Sequence, residues 1–521
     1  MKQKDRLKLL LLEVEELILY IYAMEKEYIG KLKKVHKKYK QSARNLIHYT
    51  IMRSRNTSSL QKRLGKFGLS RLILIEPHIM ASLLTTQAIL KSMLGEKATF
   101  PKHTLSFAKS SKLLKKNVKE LLGYRSKGRK TRIMVTLPVQ ASDDYQLVYD
   151  MISSGMNCAR INCSAGNEES WQKMVLNVKE ASKQLKKNCK IAMDLNGPKI
   201  RVDKILRTSK IMKVQNMKDS LGNTIKPIKV YFGEGAENPV LPVIPLRNYD
   251  KTLIKVEDVL SFFDSRSNQR EIKVTRIDEN GFLGELEDTT HFETDLPILK
   301  EESELFLIGE LAEKNKPLYL NKDDDLIIVK EESIPDTCPD KIPRVTCTEP
   351  KLFGVLRVGE IVLFDDGVIE GMIMEITENE ITIRITKVPH KGGKLKARKG
   401  INFPNSDLRL NSLSDHDLEI LPYVIRNTDV INMSFVNRAS DVTNLLELIK
   451  QHEIEHTPGL ILKIETKTAI YNLTEIILEA MQIYPIGMMI ARGDLAVEFG
   501  WESIGNIQEE LLSTCKAAHI T

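Results

Sequence analysis

Two consecutive apolar runs end in groups able to manage the charge of a migrating phosphoryl group. Ile461-Leu-Lys-Ile-Glu465 carries a lysine and a carboxylate two residues apart, and Met488-Met-Ile-Ala-Arg-Gly-Asp494 supplies a second carboxylate. Alternate residues of a strand share a face, so Lys463 and Glu465 point together while Leu462 and Ile464 point the other way. An inward cation and carboxylate are costly to bury without a partner. With Asp494 arriving from the next run, the partner that suits them is a divalent cation. Hard oxygen ligands beside a lysine are what phosphoryl transfer needs. Two earlier stretches repeat the pattern. In Ala159-Arg-Ile-Asn-Cys-Ser-Ala-Gly166, the side chains of Arg160, Asn162 and Ser164 share one face. An arginine fork suits a phosphoryl group, and amide and hydroxyl oxygens suit a cation. In Met193-Asp-Leu-Asn-Gly-Pro-Lys-Ile-Arg201, Asp194 ends a strand, Gly197-Pro198 turns the chain, and Lys199 and Arg201 flank the exit.

Alternating elements must position these groups. Strand patterns at 131–137, 157–163 and 190–195 alternate with helical patterns at 143–154 and 168–186, and the alternation stops near Val202. It resumes from Ser414, with strands near 429–434, 459–464 and 486–491 and helices at 414–425, 439–452, 467–480 and 503–517. Such alternation predicts a parallel sheet, and polar groups at successive strand C-termini suit the active face of a (β/α) barrel. Residues 202–403 read instead as β-rich, an insertion between a strand and its helix. Asn280-Gly281 is a hairpin signal, and Ile381, Ile383 and Ile385 alternate with polar neighbours. Residues 1–125 read as helical: Leu7, Leu10, Leu11, Val14, Leu17, Ile18 and Ile21 keep a three-four spacing, with shorter helices around 43–54, 76–94 and 107–121.

A chain of 521 residues, 42% of them hydrophobic, can build several cores. Its net charge of +9 is divided unevenly. Residues 1–130 hold 30 Lys and Arg against 9 Asp and Glu, a net of +21, and the remainder is −12. A basic front and an acidic body suggest separate modules that attract each other or an anionic partner. The six cysteines (158, 163, 189, 338, 347 and 515) form no CxxC pair, which is the usage of reduced thiols in the cytoplasm. The apolar run Leu9–Leu12 is cut by Glu13, Glu15 and Glu16, too early for a signal or a membrane span.

The ordered set ARINCSAG, DLNGPKIR, FDDG, RKGINFP, SFVNRASDV, LKIET and IARGDLAVE resembles the pyruvate kinase family over roughly residues 131–521. The resemblance implies an α/β TIM-type (β/α)8 barrel, incomplete at about six strands, with a β-rich lid and an N-terminal helical region. The regions are 1–125, 126–201, 202–403 (the lid, about twice the family's usual length) and 404–521. It implies phosphoryl transfer from phosphoenolpyruvate to ADP, giving pyruvate and ATP. Arg160 would hold the transferring group, and Lys463 would stabilise the charge passing between enolate and phosphoryl oxygens. Glu465 and Asp494 would bind Mg²⁺ or Mn²⁺, and the backbone around Gly493 would cradle the substrate carboxylate. Arg201, Lys399 and Asn162 would meet the nucleotide, and Asn162, Ser164 and Asp194 would surround K⁺. The family is usually a homotetramer.

Departures from the family pattern carry expectations of their own. Lys199 stands where the family's GPEIR motif has glutamate, and Leu195 where threonine is usual. That pair resembles the forms that need no potassium, since a lysine ammonium could take the ion's place. Activity is therefore expected not to require K⁺. Ala165 replaces a usual histidine, and Leu137-Pro138-Val139 a usual Ile-Gly-Pro. The pattern stops at Ala518-His-Ile-Thr521, ahead of the family's seventh and eighth strands and its C-terminal regulatory domain. A truncated chain is the expectation, because six strands cannot close an eight-stranded barrel. The competing reading is a non-catalytic fragment, or a scaffold or nucleic-acid-associated protein that retains a phosphate-binding barrel.

Other motifs carry less. His452-Glu-Ile-Glu-His456, with Glu475 downstream, matches a zinc-peptidase pattern, but Thr457-Pro458 should end the helix both histidines need. Lys322-Asp-Asp-Asp325 reads as a solvated loop, Asp365-Asp366-Gly367 as a β-turn or a lid motif, and Gly233-Glu-Gly235 is too short for a phosphate loop. The lysines at 31, 33, 34, 37, 38 and 40 have only Tyr39 among them, which favours a solvated face over a nucleic-acid surface. Ser42-Ala-Arg-Asn-Leu-Ile-His-Tyr49, with Gly68-Leu-Ser-Arg71 and Glu76-Pro-His78, resembles the helical leader of certain long bacterial pyruvate kinase-like proteins.

Overall fold

A computed structural model describes residues 3–101, 104–126, 128–206, 211–214, 227–233, 241–265, 267–301, 303–311, 317–330, 342–390, 392–406, 408, 410–452 and 456–521. The chain divides into two units, Met1–Ile200 with Ile401–Thr521, and Arg201–Gly400.

In the first unit, six strands pair in parallel and in chain order: Met134–Thr136, Cys158–Asn162, Lys190–Leu195, Val430–Met433, Gly459–Ile464 and Ile486–Ile490. The central strands are buried on both faces, as a parallel sheet covered by helices requires. Several helices between them start on side-chain caps. Asn167 opens Glu168–Gln184 and Ser414 opens Asp415–Asn427, each as a reciprocal capping box. Beyond the last strand, Met488 N–H donates to the Thr521 carbonyl (2.9 Å).

The basic leader belongs to this same unit. Its helices Gln3–Glu25, Lys40–Arg53 and Ile79–Met93 share one continuous apolar core with the helices around the sheet, while Phe107–Leu122 meets the sheet itself through Leu121. Leu7, Leu10, Leu11, Val14, Leu17, Ile18 and Ile21 all lie buried, the inward stripe their spacing predicts. A further helix, Ser58–Lys66, falls between the segments the sequence marks out. Leu121 packs against Cys158, Ala192, Val430 and Ile461, one residue from each of four strands. Glycine makes room for it: a Cβ on Gly487 would sit 2.4 Å from a Leu121 methyl, and one on Gly459 would sit 2.8 Å away.

Neutral polar side chains complete the leader's attachment. Tyr39 Oη accepts the Ile486 N–H (2.9 Å). The Asn45 amide donates to the Ala517 and Glu76 carbonyls (2.9 and 2.7 Å), and its oxygen accepts the Ile79 N–H (3.0 Å). Asn117 donates to the carbonyl of His519 (2.7 Å), a fully buried residue in the left-handed conformation at the end of helix Ile504–Ala518. His519 Nδ1 meets Ser42 Oγ (3.1 Å) and Nε2 meets the Pro77 carbonyl (2.8 Å), and burial pushes its pKa down to about 4. Lys31 pairs with Glu475, and Arg53 with Glu510 (2.7 Å). Part of the charge asymmetry is thus spent within one unit.

Among the described residues, the second unit is all β apart from short turns, and contains two main sheets. One is an eight-stranded, largely antiparallel sheet whose strands lie between Ile228–Gly233 and Ser303–Ile308. Its core is aromatic, with Phe232, Phe262, Phe282, Phe292 and Phe306 fully buried. Gln269–Asp278 and Gly281–Leu286 form the hairpin signalled by Asn280-Gly281. The other sheet is built on Val202–Leu206, Asp325–Val329, Arg344–Cys347, Ile361–Phe364, Ile369–Ile376 and Glu380–Lys387. Ile381, Ile383 and Ile385 are buried there while their neighbours are not, so period-two alternation survives in the structure. Asp365, Asp366 and Gly367 turn tightly with positive φ between two of these strands.

Candidate active site

The parallel register brings the predicted groups of the first unit together at strand C-termini. Asn162 stands opposite Asp194, and Asp194 opposite Asn432. Asp194 is the hub. Arg160 donates to it from Nε (2.9 and 3.0 Å) and from a terminal nitrogen (2.5 Å), and the Asn432 amide donates at 2.6 Å. The other terminal nitrogen of Arg160 reaches Thr136 Oγ1 (3.0 Å). Lys463 Nζ lies 3.6 Å from Asp194, 3.0 Å from Glu465 Oε1 and 2.7 Å from Ser434 Oγ. Glu465 Oε2 accepts the Phe435 N–H (2.6 Å), a bond that depends on Phe435 having positive φ. Such a conformation in a bulky residue persists only where its surroundings impose it.

Burial raises the Glu465 pKa, the Lys463 ammonium opposes that shift, and the Asp494 charge adds to it. Glu498, on the same helix Arg492–Phe499 as Asp494, is raised chiefly by burial as well. Arg160 is held further in its charged form by the hydrogen bond to Asp194. Lys199 Nζ meets Asp494 Oδ1 at 3.2 Å. Gly493 lies in the first turn of its helix, and a Cβ there would meet nothing within 4 Å. Asn162 Oδ1 accepts the backbone N–H and hydroxyl of Ser164 (3.2 and 2.9 Å). Lys199, Phe435, Thr466, Lys467 and Glu498 help line a cavity of about 120 Å³.

Several contributing residues escape sequence reasoning. Asn432 lies in strand Val430–Met433, whose apolar neighbours dominate its pattern, and Ser434 lies just past its end. Asp417 reads as a helix-capping residue, and its carboxylate does bond Ser414. It is also fully buried and accepts the N–H groups of Asn196 and Gly197 (2.6 and 2.9 Å), fixing the turn after Asp194. Gly197 is required in that turn: φ is +67°, and a Cβ would lie 2.9 Å from the Ser434 carbonyl.

The remaining predicted residues lie in the second unit. Arg201 donates to the Arg398 carbonyl (3.0 Å), and Lys399 pairs with Asp365 (2.6 Å). The zinc-peptidase pattern does not form a helical pair, because helix Ala439–Lys450 ends before His452. Residues 453–455 lie outside the described residues, as do Glu234 and Gly235 of the Gly-Glu-Gly motif. Among the described residues, no three His, Cys, Asp or Glu side chains cluster as a metal cage, and no helix is long and apolar enough to cross a membrane.

A six-stranded parallel α/β sheet with its ionic groups gathered at the strand C-termini is the arrangement that a (β/α) barrel gives its active face. The family model of the pyruvate kinase barrel domain matches residues 128–229 and 303–520, and the chain belongs to the pyruvate kinase family. A pyruvate kinase of Geobacillus stearothermophilus is 26% identical over 388 residues, 74% of this chain and 45% of the relative. One of Staphylococcus epidermidis is 23% identical over the same length and shares. One of Bacillus licheniformis is 33% identical over 205 residues, 39% of this chain and 33% of the relative. The chain spans about half the length of the curated relatives it matches over that longer stretch. Among solved structures, a pyruvate kinase from Cryptosporidium parvum aligns at TM-score 0.46 and 20% identity, covering 76% of this chain and 58% of that one. The family match omits 230–302, a stretch that carries most strands of the eight-stranded sheet.

Proposed function

We propose that this chain carries the reacting groups of a phosphotransferase that moves the phosphoryl group of phosphoenolpyruvate to ADP. The observation that carries the reading is the placement of Lys463 within 3.0 Å of Glu465 and 3.6 Å of the Arg160-bound Asp194, at one rim. In the reaction, the bond between the phosphorus and the enol oxygen breaks. A new bond forms to a terminal oxygen of ADP, and enolpyruvate takes up a proton to become pyruvate. The transition state is loose and charge-rich, so positioned cations matter more than covalent chemistry. Asp194 grips Arg160 side-on, which leaves outer N–H groups of its terminal nitrogens to hold phosphoryl oxygens. Lys463 neutralises charge as it passes from one oxygen to the next. The Gly493 backbone, at a helix N-terminus, suits the substrate carboxylate. Asn162 is the polar contact this unit offers the nucleotide.

The donor set fits a divalent ion. Glu465 and Asp494 are carboxylates whose charges oppose each other, and Glu465 is buried. Two carboxylates with substrate oxygens are the ligands Mg²⁺ or Mn²⁺ usually takes in such enzymes. Once bound, the ion would supply charge neutralisation at the phosphoryl oxygens. No monovalent ion is needed in this reading. Both Asp194 oxygens are already engaged by Arg160, one of them also by Asn432, with Lys463 nearby. We therefore infer activity without K⁺, in place of a potassium site at Asn162, Ser164 and Asp194.

The test is a lactate-dehydrogenase-coupled assay with phosphoenolpyruvate, ADP and Mg²⁺, run with and without K⁺. Pyruvate formation that falls about 10³-fold in Lys463→Met is expected. A folded protein with no turnover would favour the scaffold reading, and turnover that Lys463→Met leaves unchanged would contradict the assigned role.

A further inference from the structure

The leader contains a cavity of about 470 Å³ that shares no residue with the rim, walled in part by Tyr22, Glu25, Arg44, His48, His78 and Met80. This volume is within the range of small-molecule sites. Its polar wall is organised around Glu25. One carboxylate oxygen meets His48 Nε2 (2.8 Å) and the other meets Arg44 Nε (2.7 Å). Those two partners hold the Glu25 pKa below its ordinary value, the His48 hydrogen bond being the largest cause. Both acceptor oxygens are consequently in use.

Donors are what the cavity has left to offer. Arg44 meets Glu25 through Nε, and its side chain remains 61% exposed. Among the described residues, no hydrogen bond engages its two terminal nitrogens. A guanidinium paired through Nε keeps both terminal nitrogens as a planar fork, the geometry that matches two oxygens of a carboxylate or phosphate. The Tyr22 hydroxyl and the His78 ring stand in the same wall, and Met80, Ala81 and Leu105 supply an apolar part. The net charge of +21 over residues 1–130 opposes a cationic ligand and favours an anion.

We propose that this cavity binds a small oxyanion, a phosphate or carboxylate on a compact body, seated on the outer edge of the Arg44 guanidinium. The site is joined to the barrel. Asn45 lines it and also donates to the Ala517 carbonyl. The site thus shares a residue with the contacts that hold the end of helix Ile504–Ala518.

The experiment is histidine-selective ¹³Cε1 NMR of the full chain, titrated with inorganic phosphate or malonate at an ionic strength fixed with chloride. A saturable shift of the His48 and His78 signals is expected with at least one probe. Arg44→Gln should weaken it at least tenfold, and Arg44→Lys, which keeps the charge and loses the fork, should weaken it as well. Arg53→Gln, a leader cation outside the cavity, should leave it unchanged. Saturation by phosphate alone assigns a phosphorylated ligand, and by malonate alone a carboxylated one. Absence of saturation with both probes would overturn the proposal, and so would equal saturation in a folded Arg44→Gln protein; the triad then only ties two helices together. Because the signals are local to the leader, the outcome does not depend on the catalytic reading.

Discussion

The barrel rim and the leader's attachment both bury polar side chains, but they partner them in opposite ways. At the rim, Arg160, Asp194, Lys463 and Glu465 are ionisable and meet chiefly one another. In the attachment, Tyr39, Asn45 and Asn117 are neutral and meet main-chain groups of Ile486, Ala517 and His519. A neutral side chain that satisfies a buried carbonyl contributes about 1 kcal/mol to folding. A buried ion network loses much of its Coulombic gain to desolvation, so it is a poor way to stabilise a fold. Burial alone therefore marks neither function nor structure. Charges that chiefly satisfy each other, gathered at a rim, are what a site built for a further charge would need.

This contrast can be broken most sharply at Lys463. Lys463→Met should lower kcat about 10³-fold, the scale for losing a preorganised charge-stabilising donor. Asn45→Ala should leave kcat per folded molecule within about twofold. The coupled assay, normalised to the folded fraction, checks both. The next largest effect belongs to the barrel floor. Leu121→Ala should cost about 3 kcal/mol of unfolding free energy, read from urea titration, because Gly459 and Gly487 leave no side chain to collapse into the gap. Asn45→Ala should cost about 2 kcal/mol, since two carbonyls and one N–H lose their partner together. Hydrogen exchange should then quicken at residues 517–521, with little change around Asp194.

The smallest effect is one of pH. Glu465 and Glu498 have pKa values raised above 4.5 in the folded state, mainly by burial. The folded protein therefore holds these protons more tightly than the unfolded chain does. Their stabilising contribution is complete below about 4.5 and is lost as pH rises through the raised values. Without divalent metal, stability should decline across that window, and Glu465→Gln should flatten the decline. Mn²⁺ should flatten it too, because it favours the ionised carboxylate. Thermal unfolding from pH 4 to 8, with and without metal, measures the slope.

Much of the rim was legible because strand periodicity is strict. A two-residue spacing places Lys463 with Glu465 and Arg160 with Asn162, whatever the rest of the fold does. Ser434 and Asn432 were hidden because their partners, Lys463 and Asp194, come from other strands. Asp417 was hidden by its first role: Ser-x-x-Asp reads as a helix cap, and its grip on Asn196 and Gly197 exists only in three dimensions. The leader's basic run suggested a separate module, yet its helices share a core with the barrel's and Lys31 and Arg53 reach barrel glutamates. The inserted block was recognised as β-rich but not as two sheets, since alternation identifies strands without naming the strands they pair with.

The central claim is that Glu465 and Asp494 form one divalent-cation site beside Lys463. Electron paramagnetic resonance of Mn²⁺ titrated into the protein tests it most directly. The account predicts one bound ion per chain in the wild type, at least tenfold weaker binding in both Glu465→Gln and Asp494→Asn, and unchanged binding in Glu25→Gln. Equal Mn²⁺ affinity in the wild type and in the two rim variants would contradict it.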